Sequence, residues 1–298
     1  MYNSNNEFFM SPKNDYVFKK IFGDENNKDI LSSFLSCVIN EQINDVSILN
    51  NEITKENTAD KKSILDIRAT INDGVQIDIE IQLSRTIYMP ARSLYYWSKI
   101  YMEQLQIGQI YKKLNRTICI NILDFISTES KKYHSVYRLK ETEENFELTN
   151  LMEIHFIEIP KLKGYEKNDV LSQWINFINA DSREELKKMA IVNKNIDKAF
   201  DILNVMSQSK EERAAYLSRE MALHDEVTKL EEALQEGRQE GRQEGRQEGL
   251  EEGRQEGLEE GEKKKALEIA KNLLDILDNE TIAIKTGLTL DEIENLRK

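Results

Sequence analysis

The sequence predicts an α/β fold, a mixed central sheet flanked by helices, followed by an all-helical C-terminal extension. Three observations carry this. Strand-like alternation of apolar and polar residues recurs in SILDIRATI, VQIDIEIQL and TICINIL. A helical pattern (Leu94, Tyr95, Ser98, Tyr101, Met102, Leu105) separates the second of these from the third, as a crossover connection would. From about Asp169 onward the apolar spacing is helical, and no proline follows Pro160.

The elements follow in order. Ser11-Pro12 predicts a cap and first-turn proline for an opening helix, in which Val17, Phe18, Ile21 and Phe22 share a face and which Gly23 ends. Ile30, Leu31, Phe34, Leu35, Val38 and Ile39 form the stripe of a second helix. After the hairpin, the crossover helix and TICINIL, two weaker strands are expected around YHSVYRL and EIHFIEI. Ser182 with Glu185, and Ser209 with Glu212, have capping-box spacing. In each pair the serine caps a helix start and the glutamate reaches back.

These signals divide the chain into a domain at 1–180, a helical extension at 181–234, a repeat spacer at 235–262 and a small helical module at 263–298. The spacer repeats QEGR and LEEG, with glycine at every fourth position from Gly237 to Gly261. Each interior glycine costs a helix roughly 1 kcal/mol relative to alanine, so the repeat is a marginal helix. The last module resembles a helix-turn-helix, with a turn at Gly287 and a third capping box, Thr289 with Glu292. Its final helix, DEIENLRK, is balanced in charge rather than basic, which favours an interaction module over a DNA reader. Its apolar positions make the tail a candidate site of homo-oligomer formation.

The net charge of −13 is uneven, with about −4 in residues 1–180 and the rest beyond, so the overall acidity does not exclude a nucleic-acid partner for the first domain. No apolar run approaches the ~20 residues of a membrane span. The N-terminal segment lacks the basic and apolar regions of a signal peptide. Cys37 and Cys119 match no metal spacing and read as buried thiols of a reducing compartment. The expected location is the cytoplasm, with no membrane partner. His134, His155 and His224 have no ligand spacing and read as structural, and Trp97 and Trp174 read as core.

The hairpin carries the chemistry. Asp66, Arg68 and Thr70 share one face of its first strand, and Gln76, Asp78, Glu80 and Gln82 share one face of its second. Residues opposed across an antiparallel pair lie on the same face. A two-residue turn would set Asp66 against Ile81, which breaks parity. A three-residue loop, Asn72-Asp73-Gly74 with glycine left-handed, sets Ile71 against Val75 and Asp66 against Glu80. Facing carboxylates repel, and a divalent cation would convert that repulsion into coordination. The alternative is a half-exposed strand whose acids are neutralised by Arg68 or Lys99.

Asp66 followed by Glu80-Ile81-Gln82 after a hairpin resembles the PD-(D/E)XK nuclease core, in the variant ending in glutamine. With NDYVFKKIFG, ILDIRA, DIEIQ and RSLYYWSKIYMEQL, residues 11–125 resemble the recombination-promoting nucleases, also described as PD-(D/E)XK family transposases. The acidic EG repeat and the ending TGLTLDEIENL are also familiar at the tails of such proteins. The resemblance implies a restriction-endonuclease-like core and an Mg²⁺-dependent (or Mn²⁺-dependent) DNA endonuclease that promotes DNA breakage and recombination. It implies Asp66 and Glu80 as metal ligands, with the carbonyl of Ile81. Gln82, where the wider superfamily has lysine, would orient the attacking water, and Asp15 would hold a metal-bound water. Leu65 stands in place of the proline of the superfamily name. Arg68, Arg92, Tyr96 and Lys99 are candidates to face DNA phosphate, against the alternative of ordinary helix surface or core edge. The competing functions are a non-catalytic DNA-binding or interaction protein on the same fold, and cleavage of RNA.

Overall fold

The computed structural model describes residues 8–50, 65–163, 169–191 and 193–297. The start of the N-terminal segment and Ser63-Ile64 of the first predicted strand lie outside them. Two compact units result, residues 1–224 and residues 225–298.

In the first unit, α1 (Asp15–Phe22) and α2 (Lys28–Ile39) precede β1 (Val46–Leu49), β2 (Ile67–Ile71) and β3 (Val75–Gln82). Then come α3 (Met89–Glu103), β4 (Thr117–Leu123), β5 (His134–Arg138) and β6 (Met152–Glu158). Helices α4 (Val170–Asn179), α5 (Arg183–Ala190), α6 (Lys194–Gln208) and the start of α7 (Lys210–Leu273) complete it. The six-stranded sheet has the order β1-β2-β3-β4-β6-β5. Strands β3, β4 and β6 run parallel, while β1-β2-β3 and β5-β6 are antiparallel.

The hairpin adopts the parity-consistent register, with Ile71 opposite Val75 and Ile67 opposite Ile79. Gly74 takes φ +95°, a backbone conformation that favours glycine, and a Cβ there would also press on the side-chain nitrogen of Asn115 at 2.8 Å. Strand β1 was not expected. Four residues with only two strong β-formers among polar neighbours carry too short a pattern, and its pairing with β2 supplies what the local sequence lacks. The opening helix also starts later than Ser11-Pro12 implies. Asn14 is the cap, accepting from the Tyr16 N–H, and residues 11–14 form a turn closed by Asn14 N–H to the Ser11 carbonyl. An asparagine cap leaves the proline outside the helix.

Alternation splits the sheet into two faces. Ile77, Ile79 and Ile81 of β3, with Ile118, Ile120 and Ile122 of β4, meet Phe18, Phe22, Phe34 and Trp174 from α1, α2 and α4. Phe22 lies 4.7, 5.3 and 5.5 Å from the rings of Phe18, Phe34 and Trp174. Leu186, Ile196 and Phe200 of α5 and α6 join this core, so the first helices after residue 181 pack with the layer that covers the sheet. On the other face Cys119, Leu123, Ile154 and Phe156 pack against Met89 and Ile100 of α3.

The first turns of α7 are latched to α1. The Glu212 carboxylate accepts from Tyr16 Oη at 2.6 Å and Lys20 Nζ at 3.0 Å. The Ser209–Glu212 box is therefore only half made: Ser209 caps the Glu212 N–H, and the glutamate is spent on α1. Arg219 pairs with Asp15 at 2.7 Å, and Tyr216 is buried. In the second unit, the repeat is helical within α7, and its glycines meet nothing within 4 Å. Ala270, Ile282 and Ile293 form a small core with α8 (Asn279–Thr286) and α9 (Leu290–Arg297). The Thr289–Glu292 box is reciprocal. No helix among the described residues is long and apolar enough to cross a membrane.

These contacts set where the chain tolerates truncation. A chain ending at residue 230 keeps Tyr216, Glu212 and Arg219 and is expected to melt within a few degrees of the full chain. Ending at residue 208 exposes the surface Tyr216 covers, a loss of roughly 2 kcal/mol or more and hence ~5 °C or more in midpoint. Calorimetry of both decides. Equal midpoints, or an unfolded 1–230 chain, would contradict the latch.

Candidate active site

Asp66 and Glu80 face each other where the β2–β3 ladder gives out. Glu80 Oε1 accepts the Asp66 N–H at 3.0 Å, and Asp66 Oδ2 accepts the Ile81 N–H at 2.9 Å. Each carboxylate thus holds a backbone N–H of the opposite strand in place of a ladder bond. In a strand the N–H and C=O of one residue point to the same edge, so the Ile81 carbonyl shares the edge that Asp66 approaches. The site lies at the C-terminal end of the parallel strands, where open α/β sheets place their ligands.

The acids are not on a half-exposed face. Asp78 and Glu80 are 1% and 3% exposed, covered by α3. Burial, then the neighbouring Asp66 charge, pushes Glu80 up to about 7, against the opposing pull of Arg92 and Lys19. Burial, then the nearby Glu80, holds Asp78 well above the usual carboxylate range, and its Oδ1 has no hydrogen-bond partner. Sequence reasoning placed Asp78 on the right face and gave it no role.

The cations beside the acids are Lys19 and Arg92. Lys19 Nζ lies 2.8 Å from Asp66 Oδ1. Arg92 donates from Nη2 to Glu80 at 2.8 Å and from Nη1 to the Gln82 oxygen at 3.0 Å, and its guanidinium sits 5.2 Å from the Tyr96 ring centre. Gln82 completes its amide by donating to the Ser84 carbonyl. The structure therefore brings Asp66, Glu80, Ile81, Gln82, Arg92 and Tyr96 together. Asp15 lies one helical turn before Lys19 on α1, paired with Arg219. Arg68 is largely buried and bound to Glu103 at 2.7 Å, and Lys99 lies over the Tyr95 ring. Lys19 was missed. Its only signal was the i,i+4 spacing from Asp15, which puts both on one face of α1.

Hard oxygen donors from two strands, one of them a desolvated carboxylate, suit a small divalent cation. Among the described residues no three His, Cys, Asp or Glu side chains gather into a cage. The fit is to the Mg²⁺ mode instead, with one or two carboxylates and the remaining positions left to water and phosphate. The histidines lie elsewhere. His134 Nε2 and His155 Nδ1 are 2.8 Å apart, and His155 Nε2 is 2.6 Å from Glu153, which Arg116 and Arg138 also bind. Burial, then the neighbouring His155, lowers His134 to about 4.

The model of the PD-(D/E)XK nuclease family transposases matches residues 12–233, more than half of the chain. The chain belongs to that family. The match takes in the hairpin, both flanking helices and the α7 latch. No curated protein and no solved structure gives a match. Within this family frame, the mixed sheet with flanking helices is the PD-(D/E)XK nuclease-like fold.

The raised Glu80 value has a testable sign. A carboxyl whose folded pKa exceeds its unfolded one favours the fold when protonated. That contribution is complete below the usual 4.5 and is lost as pH rises towards about 7. Glu80→Gln should therefore gain stability relative to the parent chain between pH 5 and pH 8, read by urea unfolding. A difference that stays constant or shrinks with pH would contradict the burial assigned to Glu80.

Proposed function

We propose that the protein is a metal-dependent endonuclease that hydrolyses phosphodiester bonds of DNA and so promotes DNA breakage and recombination. The observation that carries this reading is the opposed pair Asp66 and Glu80, desolvated at the end of β3 within a PD-(D/E)XK frame. A decayed site would have lost a member, and Asp66, Glu80 and Gln82 are all in place.

Asp66, Glu80 and the Ile81 carbonyl would hold Mg²⁺ or Mn²⁺. Bound there, such an ion acidifies water and stabilises charge on phosphate. The protein's own groups do the rest. Hydrolysis adds one water across a P–O bond and leaves a phosphomonoester and a hydroxyl. Gln82 offers an amide that can hold that water by hydrogen bonding, without adding charge. Arg92 is stacked on Tyr96 with its guanidinium at the acids, where a planar fork can turn to phosphate oxygens. The α3 layer keeps bulk water from the Glu80 side, which strengthens each of these interactions. Asp15, on the same helix face as Lys19 and paired with Arg219, would hold a further water.

Supercoiled, linear and branched DNA incubated with the protein, with Mg²⁺ or with chelator, tests the activity. Asp66→Asn and Glu80→Gln are each expected to lower cleavage by roughly 100-fold or more while the fold is retained by circular dichroism. Gln82→Lys should keep part of the activity and Gln82→Leu much less. Parent-level cutting by either carboxamide variant, or cutting that chelator leaves untouched, would overturn the reading.

A further inference from the structure

The two lysines of α1 have separate tasks. Lys20 joins Tyr16 on Glu212 and belongs to the latch. Lys19 points the other way, to Asp66 Oδ1 at 2.8 Å, while Asp66 Oδ2 is committed to the Ile81 N–H. A cation coordinated through Oδ1 would compete with the Lys19 ammonium for the same oxygen. We propose that Lys19 is a catalytic cation: Asp66 stores its ammonium in the resting protein, and it passes to the scissile phosphate when a divalent cation takes Asp66. This rests on the nuclease reading above.

Three further features support the transfer. The side chain of Lys19 is 34% exposed, so its head group is open to an incoming strand, whereas Arg68 at 13% is closed off against Glu103. Lysine carries a point charge on a flexible four-carbon stem, which can swing between two anions without rearranging its helix. Gln82 brings no positive charge to the site, and its amide oxygen and nitrogen are held by Arg92 and Ser84, so the charge a lysine would supply from β3 has to come from another element.

The charges also balance. Ionised Asp66 and Glu80 are offset in the resting site by Lys19 and Arg92. A bound divalent cation adds two positive charges that the carboxylates then serve, which frees both side-chain cations. A phosphodiester carries one negative charge and gains a second as hydroxide adds to phosphorus. Preorganised cations aimed at that developing charge lower the barrier. A lysine acting only as a strut for Asp66 would behave differently, because removing it would loosen the ligand and weaken metal binding.

The full chain and its Lys19→Met, Lys19→Arg and Asp66→Asn variants are titrated with Mn²⁺ alone, the free ion being read by electron paramagnetic resonance. Plasmid cleavage is measured in parallel at saturating Mg²⁺. Lys19→Met is expected to bind Mn²⁺ about two- to five-fold more tightly, the competing ion pair being gone, and to cut roughly 100-fold more slowly. Lys19→Arg should return Mn²⁺ affinity to the parent value and restore part of the rate. Asp66→Asn should lose both. Unchanged or weaker Mn²⁺ binding by Lys19→Met, or cleavage at the parent rate, overturns the role of Lys19 while the nuclease reading stands. A parent chain that neither binds Mn²⁺ nor cuts DNA overturns both.

Discussion

Repulsion between Asp66 and Glu80 is the constraint around which this fold is arranged. The hairpin register sets the two acids opposite each other, and α3 removes Glu80 from water. Either step alone raises the energy of the ionised pair, and together they would expel a proton-free pair from the fold unless positive charge were supplied. The neighbouring elements supply it. Helix α1 brings Lys19 to Asp66, and α3 brings Arg92 to Glu80. Asp78, one alternation along β3, is pushed well above the usual carboxylate range by burial and by Glu80, with Cys119 and Arg68 opposing.

Supporting elements can be read from the same constraint. Lys19 reaches Asp66 only if α1 keeps its orientation, and the phenylalanines of α1 and α2 lock that helix against Trp174. The start of α7 holds α1 through Glu212 and Arg219, and the segment before it through Tyr216. Helices far along the chain therefore position a side chain near its beginning. The family match ends at residue 233, just beyond this latch. The glycines of the repeat that follows have open space around them, so nothing in their packing explains the four-residue period.

The β2–β3 hairpin and the facing pair were legible in the sequence because strand parity is a strict rule. Only an odd loop lets Asp66 oppose Glu80, and Asn72-Asp73-Gly74 is odd and ends in glycine. Residues of the crossover helix were legible by periodicity. Less legible was whatever depends on contacts distant in sequence. Periodicity cannot show that Lys19 meets Asp66, that Glu212 forsakes its cap for Tyr16, or that α5 and α6 help close the core. Burial of β3 on both faces was also hidden, since an alternating strand in a mixed sheet looks half exposed until its covering helix is placed. The resemblance to the family pointed to Asp66 and Glu80, passed over Lys19, and named Arg92 only as a contact for phosphate.

The central claim is that the facing carboxylates form a divalent-cation site, which anomalous diffraction from crystals soaked in MnCl₂ tests most directly. At pH 8, above the value of about 7 at which Glu80 releases its proton, one anomalous peak is expected roughly 2.1 Å from the carboxylates of Asp66 and Glu80. The Ile81 carbonyl should be in the same shell, with Lys19 moved off Asp66. A map with no peak at this position, and with the Lys19–Asp66 and Arg92–Glu80 pairs intact, would contradict the account.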